Sequence, residues 1–300
     1  VSYLWSPSVY LIDPRIMAWS PAGAIAAALA FLVVFWLAYD IICRTLGQTK
    51  NGDAKVGALV LVLVCVAAVA ATHMFAGRAA FLLMGAMLAT SMSANVFFWI
   101  IPGQRTMVAD MKAGRPVDPI HGIRGKQRSV HNTYFTLPVL FAMLSNHYSF
   151  TYAHPQNWLI LIAIMFAGAA IRQFFVMRHG YKLGRNPHPW KYAAVGVAVL
   201  LGLIVWLKPA PVAPAAAAPA AVTYAQLQPV VAQRCVMCHG EALQSKGVRL
   251  DSADAVKQHA QMIYQQVVVQ KLMPLNNATG LTDEERALFA KWFETGASVN

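Results

Sequence analysis

Apolar residues in this chain gather into six blocks, at 22–43, 56–75, 79–101, 130–149, 158–177 and 190–207. Each is about the 20 residues that a helix needs to cross a bilayer. The fourth is the weakest. Pro138 interrupts it, and His131, Asn132, Asn146 and His147 crowd its ends, as in a helix shielded by its neighbours or lining a cavity. Ahead of the first block, Pro7, Pro14 and Pro21 break any long helix. Behind the last, residues 208–221 are almost all proline and alanine, a semi-rigid linker reaching ~40 Å at about 3.1 Å per residue. Beyond it, residues 224–234 read as a helix. Thr282-x-x-Glu285 reads as a capping box opening a last helix with Leu288, Phe289, Trp292 and Phe293 on its apolar face. The pattern predicts an all-α protein: a multi-span transmembrane bundle over 1–207, the linker over 208–221, and a small helical domain over 222–300.

Composition sharpens the membrane reading. The chain is 58% hydrophobic and 12% charged, where soluble domains carry about 25% charged residues. Its net charge of +12 would suit nucleic acid, so the location of that charge matters. Residues 222–300 hold seven Lys/Arg and seven Asp/Glu; the whole excess, 17 Lys/Arg against five Asp/Glu, lies in 1–221. It follows the loops of the membrane part and calls for no nucleic acid. With six spans, 14 of those cations fall on one side and only Arg15, Arg78 and Lys208 on the other. The positive-inside rule makes the basic side cytoplasmic and sends the tail outside. Trp19, Trp99, Trp158, Trp190 and Trp206 stand near span ends, as interfacial anchors do. Cys43 and Cys65 lie in or at the end of apolar blocks and imply no disulfide framework. The opening at Val1, with no signal-peptide pattern, reads as a processed form or a fragment.

The sharpest motif is Cys235-Val-Met-Cys238-His239. Two thiols at i and i+3 form thioethers to the porphyrin vinyls, and the adjacent histidine gives the iron an axial nitrogen: haem c attachment. A zinc site would want two more Cys or His at ligand spacing, and only His259 follows. A thioredoxin-like motif would want strands around it. For the sixth ligand, Met273 before Pro274 is the candidate. Met237 lies inside the attachment loop and Met262 falls mid-helix, which leaves Met262 as the alternative.

Polar residues inside spans are costly and therefore rank as functional candidates. An inner layer holds Ser91, Ser93, Asn95, His131, Asn132, Arg172 and Gln173; an outer layer holds Thr72, His73, Asn146, His147 and Tyr148. The inner layer reads either as helix–helix hydrogen bonding with a snorkelling arginine, or as a pocket for a planar anion. In the second reading Arg172 matches the charge, and Asn95, Asn132 and His131 meet ring carbonyls and N–H groups. His73 and His147 could hold a second, b-type haem, or stand as plain interfacial histidines. Asp40 and Arg44, at i and i+4, read as a pair.

The run Arg124-Gly-Lys-Gln-Arg-Ser-Val-His131-Asn132-Thr-Tyr-Phe-Thr-Leu-Pro138-Val-Leu-Phe-Ala-Met-Leu-Ser145-Asn146-His147-Tyr148 resembles the bacterial membrane-bound urate oxidases (urate hydroxylases) with a fused C-terminal cytochrome c. Asn95-Val-Phe-Phe-Trp-Ile-Ile-Pro102-Gly-Gln-Arg105 is similar to that family too. The resemblance implies oxidation of urate to 5-hydroxyisourate in purine breakdown, with no release of hydrogen peroxide. Electrons would leave through a class I cytochrome c-like domain towards a soluble cytochrome c or a terminal oxidase. It also implies a bacterial inner-membrane location with the haem domain on the periplasmic side, and further N-terminal helices. The competing reading is a membrane-anchored cytochrome c relaying electrons for another respiratory dehydrogenase or oxidase. Six spans with buried polar residues exceed what such an anchor needs. A haem-copper oxidase subunit would want mid-span histidines, whereas these sit at span ends, and a transporter with an electron-transfer tail fits least.

Overall fold

The computed structural model describes residues 2–208 and 222–299, and every regular element within them is a helix. A single bridge between His239 and Gln244 is the one pairing of extended backbone among the described residues. The expected linker, apart from Lys208, lies outside them. The described residues form two compact units: residues 20–208, and a second in which residues 2–19 join residues 222–299.

The first unit contains α1 (Pro21–Leu46), α2 (Gly52–Met74), α3 (Gly77–Lys112), α4 (Pro119–Leu144), α5 (Asn157–Lys182) and α6 (Trp190–Trp206). Two of these begin where sequence chemistry starts a helix. Ser20 Oγ accepts from the Gly23 N–H ahead of Pro21, and Asp118 Oδ1 accepts from the Ile120 N–H ahead of Pro119. Helices α1, α2, α3 and α5 are long and apolar enough to cross a membrane. Their outward faces carry bare Val33, Val34, Leu37, Ile41, Val62 and Val66, which suits lipid better than water. Helix α6 is apolar but shorter. Helix α4 departs most from the apolar block at 130–149. Asp118 starts it eleven residues earlier, so that Arg124, Lys126 and Arg128 ride inside it. It stops at Leu144, before a tight turn over Ser145–His147.

Small residues set how closely these helices pack. A Cβ on Gly85 of α3 would stand 2.6 Å from the Ala142 Cβ of α4, and one on Gly196 of α6 would stand 2.6 Å from Ile171 of α5. Gly168 of α5 faces the ring of Pro138, 3.3 Å from where its own Cβ would be. The helix-breaking proline of α4 is thus housed against a residue with no side chain. Pro102 explains a second irregularity. It has no N–H to give the carbonyl four residues back, and just ahead of it α3 widens into a π-turn over Val96–Ile100, where the Ile101 N–H reaches Val96.

The second unit contains α7 (Tyr224–Arg234), α8 (Ala253–Gln258), α9 (Ala260–Ile263), a wide turn over Tyr264–Val269, and α10 (Asp283–Glu294). The expected capping box is present: the Glu285 N–H donates to Thr282 Oγ1 and the Thr282 N–H to Glu285 Oε2. Leu227, Val231, Val256, Val267, Phe289 and Trp292 form its core. In the leading segment, Leu11 and Ile12 are buried, and Asn276 Nδ2 donates to the Val9 carbonyl over 2.7 Å.

Gly85→Val should lower the melting temperature of the detergent-extracted protein by several degrees, because backbone must move to admit the side chain. Gly57, with nothing within 4 Å of its Cβ position, is the control, and Gly57→Ala should leave the melt unchanged.

Candidate functional site

One buried polar cluster ties α1, α3 and α4 together. Arg128 is 2% exposed and donates through Nη2 to Asp40 Oδ1 (2.7 Å) and through Nη1 to Asn95 Oδ1 (3.3 Å). Its guanidinium carbon lies 5.0 Å from the ring centres of both Tyr39 and Trp99. Asp40 Oδ1 accepts also from Trp99 Nε1 (2.8 Å). Asn95 spends its amide hydrogens on Tyr39 Oη (2.9 Å) and Asn132 Oδ1 (2.8 Å), and Asn132 Nδ2 donates to the Met92 carbonyl (3.1 Å). Tyr39 Oη and His131 Nδ1 share a hydrogen bond of 2.9 Å, with Cys43 Sγ 3.8 Å from the same nitrogen.

Three of the four expected residues, Asn95, His131 and Asn132, thus meet in one network. Arg172 lies elsewhere, on α5. The neighbouring Gln173 accepts from Tyr134 Oη of α4, and the Arg172 guanidinium sits 6.0 Å from the Phe175 ring. The cation within the cluster is instead Arg128, one turn ahead of His131 on the same face of α4. Asp40 does stand near Arg44, at 3.7 Å, but its short bond goes to Arg128. Trp99, expected as an interfacial anchor, serves as an internal donor. Ser91 bonds back to its own helix, and Ser93 is exposed. In the outer layer, His73 Nδ1 bonds to the Val69 carbonyl of its own helix, His147 is exposed, and Asn146 accepts from Arg78 Nε.

In the second unit, Cys235 and Cys238 are free thiols. Burial, with Cys238 and Glu285 nearby, pushes the Cys235 thiol up to about 11. That is the reverse of a reactive redox cysteine. His239 is held from several directions. Its N–H reaches the Cys235 carbonyl, its carbonyl receives the Leu250 N–H, and its Nδ1 lies 3.2 Å from the Val248 carbonyl. A carbonyl only accepts, so this contact suits a hydrogen on Nδ1, the arrangement in which a ligating histidine turns Nε2 to its metal. Met237 and Met262 are exposed, whereas Met273 and Cys235 pack on the core. Buried Arg286 holds the Met273 loop, donating to the carbonyls of Val267 and Met273 and to Asn277 Oδ1. A nitrogen donor and two thiols in one loop, with Cys235 and Met273 both packed on the apolar core, fit a covalently attached haem. Among the described residues no group of three or more His, Cys, Asp or Glu is placed for a metal ion.

The first unit is therefore an all-helical bundle of membrane-crossing character, organised around a saturated polar core. A family model described as urate oxidase N-terminal matches residues 1–208, and the chain belongs to that family. No curated protein and no solved structure matches it. Membership ties the protein to oxidation of urate.

Arg128→Gln and Asp40→Asn should each cost about 3–5 kcal/mol of stability, by stranding a buried charge. The double variant should lose clearly less than the sum; thermal melts of all four proteins in one detergent give the comparison. In the second unit, burial raises the Glu285 carboxyl pKa, but the Thr282 N–H and Arg234 outweigh it and hold the group below 4.5. Its contribution to stability is then full above about pH 4.5 and is lost as pH falls through the depressed value. Glu285→Gln should flatten that part of the pH–stability curve between pH 5 and 3, measured by denaturation of the purified protein.

Proposed function

We propose that the protein is a membrane-bound urate oxidase that converts urate to 5-hydroxyisourate and passes the electrons to a haem c held by its own C-terminal domain. The observation behind this reading is that one chain carries both a family segment and a C-x-x-C-H loop. A urate oxidase family segment over 1–208 is followed in the same chain by a Cys235-x-x-Cys238-His239 loop whose histidine Nδ1 lies 3.2 Å from the Val248 carbonyl. We assign the thioether attachments to Cys235 and Cys238 and the axial positions to His239 and Met273. Bound there, a haem c accepts one electron at a time.

The balance for the substrate is removal of two electrons and two protons, with addition of water at C5. In the buried cluster, a proton taken at His131 Nε2 gives a cation whose Nδ1–H donates to Tyr39 Oη. Asn95 and Asn132 hold this pair in place. The bundle sits in the bacterial cell membrane with its basic loops cytoplasmic and the haem domain periplasmic. The electrons then go to a soluble cytochrome c or a terminal oxidase.

The test is a reduced-minus-oxidised spectrum of the purified oxidised protein with urate as sole reductant. A haem c spectrum should appear, together with loss of urate absorbance, and His131→Ala should slow the reduction by roughly 10²-fold or more while dithionite still reduces the haem fully. A protein that carries haem c but is not reduced by urate would leave the electron-relay reading in its place.

A further inference from the structure

Arg172 Nε is the single buried side-chain nitrogen or oxygen without a hydrogen-bond partner among the described residues. Buried polar atoms are almost always paired, and an isolated exception points to a partner still to come. The charge of Arg172 is unmatched as well. Residues 20–208 contain four carboxylates, and all are engaged elsewhere. Asp40 pairs with Arg128, Asp53 accepts from Gln127, Asp110 pairs with Arg115, and Asp118 caps α4. Arg128 is the opposite case. Asp40 neutralises it, Asn95 takes its other terminal nitrogen, two aromatic rings stand 5.0 Å from its guanidinium carbon and it is 2% exposed, so an anion could reach it only by displacing those partners.

The surroundings of Arg172 suit a planar anion. Gln173 spends its Oε1 on the Tyr134 hydroxyl, which leaves its Nε2 hydrogens without a partner among the described residues. Arg172 and Tyr192 are both close enough to act electrostatically on that hydroxyl. The Phe175 ring lies beside the guanidinium. Tyr134 follows His131 by three residues on α4, one turn along the same side, so a ligand at Arg172 lies along the helix that carries the proposed base. Where α6 crosses, Gly196 presses against Ile171, the residue before Arg172.

We propose that Arg172, Gln173 and Tyr134 form the subsite that binds the urate anion, and that Arg128 is an architectural cation that never touches substrate. This rests on the urate-oxidation reading and gives it a location. Urate at neutral pH is a planar monoanion rimmed with carbonyls and N–H groups. A guanidinium fork and a carboxamide supply the donors for its carbonyl edge.

The experiment measures urate binding by calorimetry on full-length protein reduced beforehand with dithionite, so that bound urate cannot turn over. Arg172→Gln should weaken binding roughly tenfold to a hundredfold. Arg172→Lys, which keeps the charge without the fork, should fall between that and the parent. In turnover, KM for urate should rise by the same factors, with kcat changed far less, and dithionite reduction of all variants should match. Arg172→Lys guards against misfolding of the glutamine variant, since a structural role of the charge alone would leave its binding unchanged. Parent-like urate binding in both variants overturns the assignment. So does loss of co-purified anionic phospholipid from Arg172→Gln with urate affinity intact, which would give the cation to a lipid headgroup. If the parent protein itself neither binds nor oxidises urate, it is the functional reading that fails first.

Discussion

The ion pair between Arg128 and Asp40 is the constraint from which the first unit is built. An unpaired charge inside a helical bundle costs several kcal/mol, and even a paired one breaks even only when its remaining donors and acceptors are satisfied. Here the satisfaction is nearly complete. Trp99 and Arg128 share one carboxylate oxygen, Asn95 takes the second guanidinium nitrogen, and the rings of Tyr39 and Trp99 each stand 5.0 Å from the guanidinium carbon. Those demands bring α1, α3 and α4 to one point. The π-turn over Val96–Ile100 follows one member of the network, Asn95, and contains another, Trp99. A widened turn tolerated because of Pro102 is thus also the stretch of α3 from which the polar core is reached.

A second buried arginine solves a smaller version of the same problem. Arg286, 4% exposed, has no carboxylate and spends its donors on two carbonyls and an amide oxygen of the loop that carries Met273. Five donors in a rigid fork can bind an irregular loop that has no ladder of its own. Backbone bonds to Cys235 and Leu250 hold the His239 loop, and Arg286 holds the Met273 loop.

Much of this was legible in the residues. The apolar blocks located the helices, and the Thr282–Glu285 box and the span 224–234 were placed correctly because caps and periodicity are local. Asn95, His131 and Asn132 came together as the costliness of polar groups in spans suggested. Arg172 did not join them, because sequence reports depth along a helix but not the direction in which a side chain points. Arg128 was overlooked for a related reason. It sits in a basic run beside Arg124 and Lys126 that reads as a solvated loop, until the Asp118 cap starts α4 early and turns that run into helix. The signal available was spacing: Arg128 precedes His131 by three, and Tyr39-Asp40 is the one polar pair inside the first apolar block. Arg286 gave no warning, since a lone arginine on an amphipathic helix is usually exposed.

Residues 2–19 belong to the same compact unit as residues 222–299, fastened through Asn276 and the Val9 carbonyl. Two stretches more than 200 residues apart in sequence are therefore parts of one folded unit. The leading segment is not a tail of the helices that follow it in sequence: its buried Leu11 and Ile12 belong to the unit of α7 to α10, so its fate in unfolding or truncation is tied to that unit.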